Sequence, residues 1–149
     1  MRHASVVFVL ALLASCGVPI TAAAEEPEQL MVERINEVRA HEAGLAPLRA
    51  APALERSAGS FAQYLVAHEQ LAHRPTVSTG RSYSHSGEAL AMHFSLRARV
   101  GPTLRTWLGS PAHRELVLTS SMNLVGIGHS SGRMRGRPRT VWVIQVARR

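Results

Sequence analysis

Trp107-Leu108-Gly109-Ser110-Pro111-Ala112-His113-Arg114 is the stretch on which the reading of this chain turns. Ser110 and Pro111 mark a helix start, with Ser110 in the capping position and Pro111 at the first helical residue, where a missing N–H is no loss. Just before it, Gly101-Pro102 opens another short helix that carries Leu104, Trp107 and Leu108. His113 therefore falls in a first helical turn. The positive end of the helix dipole disfavours imidazolium there and leaves a neutral ring nitrogen able to bind a metal or accept a proton. The alternative is a histidine that only packs its turn.

Working outward, residues 25–29 form a short polar, proline-containing approach. Met31, Ile35 and Val38 then recur at helical spacing, predicting a first helix to about His41 or Glu42. Gly44 is placed to stop it, and Leu45-Ala46-Pro47-Leu48 reads as a buried connector. Pro52 suits the first turn of a second helix whose apolar stripe runs Leu54, Ala58, Phe61, Leu65, His68, Ala72. That helix would deliver His73 at its end, closed by Arg74-Pro75 because the residue before a proline is pushed out of the helical region. Residues 76–86, rich in Ser, Thr and Gly, read as loop. Residues 124–128 and 140–146 read as two strands joined by an Arg/Gly-rich loop. Helices and strands are thus expected in layers around one sheet.

At 149 residues the chain suits one domain. Its basic residues are all Arg and its acids all Glu, which excludes mechanisms needing Asp or a lysine nucleophile. Met1-Arg2-His3 and the apolar run from Val6 to Ala14 have the form of an export signal, too short to span a bilayer. Two exits compete. Leu13-Ala14-Ser15-Cys16 resembles a bacterial lipobox, which would make Cys16 a lipidated first residue and residues 16–29 a tether, with the domain at 30–149. Ala22-Ala23-Ala24 suits ordinary cleavage after residue 24. The lipobox is preferred because the apolar run stops right before Cys16. Cys16 is the only cysteine, so the expected domain has no internal disulfide, which favours a bacterial origin. Loss of Arg2 with the signal takes the formal charge from +7 to +6.

His73, Glu88 and His113 are the candidates for one site, a His/Glu/His set of the kind divalent cations such as zinc, magnesium or calcium accept. No His-Glu-x-x-His run is present. Ser110 is a candidate cleft residue but a poor nucleophile, since a capping serine commits its oxygen to backbone donors. A hydrolase alternative uses His73 or His113 as general base, with Glu88 as partner or a metal-bound water as nucleophile. His68 is expected to be packed and His85 a solvated spare candidate. His41, His93 and His129 carry no supporting context, and Trp107 and Trp142 are expected in the core. Arg133, Arg135, Arg137 and Arg139, with Arg148-Arg149, make a basic edge. It is suited to anionic lipid head groups, envelope polymers or extracellular nucleic acid through point charges, or is simply a solvated hairpin, and it has no ordered nucleic-acid-binding motif.

Seven segments in order carry a family likeness: Asn36-Glu37-Val38-Arg39; Gly44 to Leu48; Pro52-Ala53-Leu54 with Ala58; Leu71-Ala72-His73-Arg74; Gly87-Glu88-Ala89-Leu90; the stretch from Trp107 to Arg114; and Gly126-Ile127-Gly128. Together they resemble the CAP superfamily of cysteine-rich secretory, antigen 5 and pathogenesis-related proteins, or SCP domain, in its small bacterial branch, over about Leu30 to Val146. The resemblance implies an α/β fold: a single-domain three-layer α-β-α sandwich with a mainly antiparallel central sheet. It also implies a cleft gathering two His and up to two Glu that in some relatives binds a divalent metal. His73, Glu88 and His113 match three of those positions. The fourth, an acid in many eukaryotic members, falls on Ser110, and Ala89 replaces a usual Asn. The expectation is an extracytoplasmic, monomeric binding module for a small-molecule, lipid or envelope ligand, in the periplasm, secreted, or held to the membrane by a lipid on Cys16, without established catalysis.

Overall fold

The computed structural model describes residues 26–75, 77 and 83–149. Cys16, both cleavage sites and the apolar start lie outside these residues, as does much of the 76–86 segment. Four helices and four strands follow in the order α1 (Pro27–Ala43), β1 (Arg49–Ala50), α2 (Pro52–Ala67), β2 (His85–His93), α3 (Val100–Gly109), α4 (Pro111–Leu118), β3 (Leu124–Met134) and β4 (Arg137–Arg148). The sheet order is β1-β3-β4-β2. β3–β4 and β4–β2 are antiparallel, while the two residues of β1 run parallel to β3. The sheet is mixed, and mainly antiparallel.

Strand alternation splits the sheet into two apolar faces. On one, Val125, Ile127, Trp142, Ile144, Val146, Ala89 and Ala91 meet Met31 and Ile35 of α1, Leu104 and Trp107 of α3, and Val117 of α4. On the other, Leu90, Val141 and Val143 meet Ala58, Phe61, Ala62 and Leu65 of α2. Both tryptophans are fully buried. Glycine decides how closely α2 approaches. A Cβ on Gly126 would lie 2.2 Å from the Leu54 carbonyl carbon, and one on Gly128 would lie 2.2 Å from Gly59 N. Gly126-Ile127-Gly128 therefore lets the α2 backbone rest directly on β3, and Gly87 makes room for Leu116 of α4 in the same way.

Two polar residues of α1, Asn36 and Arg39, prove to be backbone clamps. Asn36 donates from Nδ2 to the Leu48 carbonyl (3.1 Å) and accepts from Leu48 N–H at Oδ1 (2.8 Å). Arg39, buried, donates to the carbonyls of Ala46 (3.1 and 3.0 Å), Val117 (2.7 Å) and Thr119 (3.0 Å). Its guanidinium thus ties the connector to the C-terminal end of α4, where orphan carbonyls collect.

Five local expectations need correction. α1 begins at Pro27, inside the stretch read as a polar approach, because proline at a first helical turn needs no N–H partner. Of the connector 45–48, only Leu48 is buried. α2 ends at Ala67, before His73: Glu69 adopts a left-handed φ of 53°. Its N–H bonds Val66 O (3.2 Å) and the N–H of Gln70 bonds Leu65 O (2.9 Å), a Schellman ending made without glycine. β2, unread in a segment rich in Gly and Ala, forms because nine of its positions pair with β4. The Arg/Gly-rich loop is mostly strand, its turn reduced to Arg135-Gly136 with φ of 49° and 73°, both positive as a type I′ hairpin demands.

Candidate functional site

Glu88 sits on the edge strand β2 opposite Gln145 of β4, facing the layer that holds α2. Its side chain is 7% exposed, and three neighbours share its two oxygens. His73 Nδ1 lies 3.2 Å from Oε1, Arg74 Nε donates to Oε2 at 3.3 Å, and Gln145 Nε2 donates to Oε2 at 2.9 Å. Arg74 reaches further, donating from Nη2 to Ser57 Oγ (2.8 Å) and stacking its guanidinium 4.2 Å above the centre of the Phe61 ring. The irregular segment after α2, not a helix end, therefore delivers both His73 and Arg74. The buried carboxyl group thus has both oxygens engaged within the protein's own network.

His113 occupies the first turn of α4 as expected. Its pKa lies below the ordinary histidine value, first because of burial and second because of the nearby charge of His73. The shift favours the neutral ring, and its causes are packing and a second imidazole rather than the helix dipole named above. His113 Nδ1 is buried without a hydrogen-bond partner among the described residues. His73, by contrast, is 55% exposed at its side chain. The structure thus joins His73 to Glu88 directly and brings His113 within electrostatic reach of His73.

Ser110 differs from expectation. It occupies the capping position with extended φ and ψ of −98° and 120°, as a residue before proline must, but its hydroxyl makes no capping hydrogen bond. Its oxygen is therefore uncommitted to the α4 backbone.

The expected metal set does not fit as the side chains stand. Among the described residues no three His, Cys or Glu side chains are grouped so as to hold an ion. Both Glu88 oxygens face donors, and Arg74 places a fixed positive charge where a cation would have to approach. Two cations competing for one carboxylate repel each other.

Beside this network an open hollow of about 360 Å³ is lined by Ser60, Phe61, Tyr64 and Arg74. Phe61 and Tyr64 stack at 6.2 Å, and Tyr64 carries His68 on its other side at 3.9 Å. His68 is thus exposed and stacked rather than packed in the core. Two histidines without sequence context prove to be anchors. His93 Nε2 meets Thr103 Oγ1 (2.8 Å), fixing α3 to β2. His129 Nδ1 meets Glu28 Oε1 (2.5 Å) and stacks on Trp142, fixing the start of α1 to the sheet. No local pattern announces either contact, because each partner is supplied by a different element. His85 begins β2, exposed, opposite Arg148.

An α-β-α sandwich carrying a His/Glu cluster at the sheet edge defines the class. The chain belongs to the cysteine-rich secretory protein family, CAP, whose model matches residues 32–146. Among solved structures it is similar to an outer surface protein of Borrelia burgdorferi, at 20% identity and a TM-score of 0.63, covering 81% of this chain and 91% of that one. It is also similar to an extracellular SCP-domain protein of Bacillus anthracis (17% identity, TM-score 0.67, 83% of this chain and 40% of that one). A cysteine-rich secretory protein of Staphylococcus aureus is a third (18%, 0.57, 83% and 38%). The chain thus spans well under half the length of the last two. These likenesses establish the fold. A comparison with curated proteins gave no match.

Proposed function

We propose that this chain is an exported bacterial CAP-domain binding module whose cleft takes a small amphipathic ligand. Its apolar part lies against Phe61 and Tyr64, and its polar end meets Arg74, His73 and His113. The observation that carries this reading is the double role of Arg74, which lines the aromatic hollow while its Nε and Nη2 are fixed by Glu88 and Ser57. A preorganised cation beside aromatic faces recognises an anionic or carbonyl-bearing head group without reorganisation. An extracytoplasmic location follows the descriptions of the relatives from Borrelia and Bacillus as outer surface and extracellular proteins. The ligand class remains a small molecule, a lipid or an envelope component, and the domain acts as a monomer.

Laurate, a simple carboxylate amphiphile, tests the reading. Titration followed by amide NMR shifts should give saturable changes at Phe61, Tyr64, His73 and Arg74 that Tyr64→Ala weakens. Unsaturable or scattered shifts would reject this ligand class.

One observation favours a second reading. A carboxylate bonded to His73 Nδ1 leaves Nε2 facing outward, the pairing of a general base with the group that orients it. Under this reading the domain is a peptidase-like hydrolase with His73 as base, and the uncommitted Ser110 hydroxyl or a water is the nucleophile.

A further inference from the structure

The described residues expose four large apolar side chains, and three of them border the arginine hairpin. Phe94 (71% exposed) and Leu96 (55%) stand in the turn that leaves β2. Leu71 (47%) shares a hollow with Met92, Met134, Arg135 and Arg139, with Glu69 the single carboxylate at its margin. The sheet register brings these parts together. His93, the last residue of β2, pairs with Thr140, so the turn from Phe94 to Arg97 lies beside the start of β4 and hence beside the β3–β4 turn.

The exposure is held in place. Thr140 Oγ1 donates to Ser95 O (2.8 Å), Arg97 N–H donates to Ser95 Oγ (2.9 Å), and the Arg139 guanidinium lies 3.6 Å from the Phe94 ring centre. Arg97, Arg133, Arg135, Arg137 and Arg139 form no ion pair with a described residue. A fixed phenyl ring and a leucine at the centre of unneutralised arginines are the two components of interfacial membrane binding. Apolar groups enter the acyl boundary while guanidinium groups on long stems remain at the level of the phosphates.

We propose that this end of the sheet, built from the turn at Phe94–Arg97 and the hairpin from Arg133 to Arg139, docks on an anionic phospholipid surface. Phe94 and Leu96 enter the interface and the arginines meet the phosphates. A polyanion such as nucleic acid would use the charge but has no place for Leu96 and Leu71. The patch acts apart from the proposed ligand hollow and from any lipid on Cys16.

Phe94→Trp in the full chain reads the patch itself whatever the N-terminus does, since Trp107 and Trp142 are fully buried and Phe94 supports no core. With vesicles of phosphatidylcholine and phosphatidylglycerol, the introduced indole should shift its emission to the blue and be quenched by brominated acyl chains. With pure phosphatidylcholine it should do neither. Each of Arg135→Glu and Arg137→Glu should lower partitioning by at least about fivefold, and added salt should do the same. Leu96→Ser should weaken quenching without changing the melting temperature. Emission unchanged on anionic vesicles, or equal on both vesicle types, would overturn the proposal. So would duplex DNA binding through the same arginines without any response to phosphatidylglycerol.

Discussion

Arg74 Nε stands 3.3 Å from Glu88 Oε2, while its chain neighbour His73 holds Oε1 at 3.2 Å. One dipeptide therefore meets both oxygens of the buried carboxylate, beside the Gln145 amide, and its second member carries a permanent charge. Zinc, magnesium or calcium should accordingly leave the melting temperature of the chelated protein unchanged. Arg74→Ala removes the fixed charge at Oε2 and leaves only the neutral Gln145 amide there, and zinc at about 100 times its dissociation constant should then stabilise that variant by about 2.7 kcal/mol. A zinc shift in the unsubstituted protein that His113→Ala removes would mean the three side chains rearrange around an ion.

Arg39 spans three backbone segments from the core, so no shorter side chain replaces it. Arg39→Ala should destabilise the fold by about 3 kcal/mol, because the buried carbonyl of Val117 and the partly buried ones of Ala46 and Thr119 lose their donor. Arg39→Lys should recover little, since an ammonium cannot bridge two sites as a planar fork does. Denaturant unfolding of both variants measures this.

A methyl group at Gly126 or Gly128 meets backbone, not a flexible side chain. Gly128→Ala should therefore cost about 3 kcal/mol or more by prising α2 from β3. Gly59→Ala, at a helix position whose Cβ meets nothing within 4 Å, should be neutral or slightly stabilising. Thermal melts of the two should diverge.

Acid should destabilise the protein before most carboxylates titrate. His113 and His93 both have folded pKa values below the ordinary one, chiefly from burial, then from the charges of His73 and Arg99 respectively. The unfolded chain then takes up these protons first, so stability falls as pH drops through about 6.5 and levels below the folded values. Glu28 adds a later loss of the same sign: although burial raises its pKa, the bond and charge of His129 outweigh that and lower it. Its contribution fades as pH falls through the folded value. Urea midpoints measured across this range should decline, and less steeply in His93→Gln with His113→Gln.

His73→Ala separates binding from catalysis. If the domain is a hydrolase, turnover of a peptide or ester substrate should vanish while the melting temperature, governed elsewhere, stays within a few degrees of the parent. Turnover that survives the change excludes His73 as the base.

The helices were legible where each carries a strong local signal: Pro52 at a first turn, Gly44 with φ of 59° at an end, and Ser110-Pro111 at a break, whereas Pro27 as a helix start was missed. The end of α2 was not, since Glu69 adopts a conformation its type seldom takes and Pro75 suggested a later stop. β2 was hidden because its identity comes from β4 rather than from its own residues. At the site, His73, Glu88 and His113 could be named from the order of motifs. Arg74, Ser57 and Gln145 could not be placed, as their roles depend on distances between elements far apart in sequence.

The strand order β1-β3-β4-β2 puts the last two strands of the chain at the middle of the sheet. A chain appearing amino end first would expose the apolar stripes of its helices before the strands that cover them exist. Closure of the domain waits for residues 124–148, so its core sets late whatever the route of the chain.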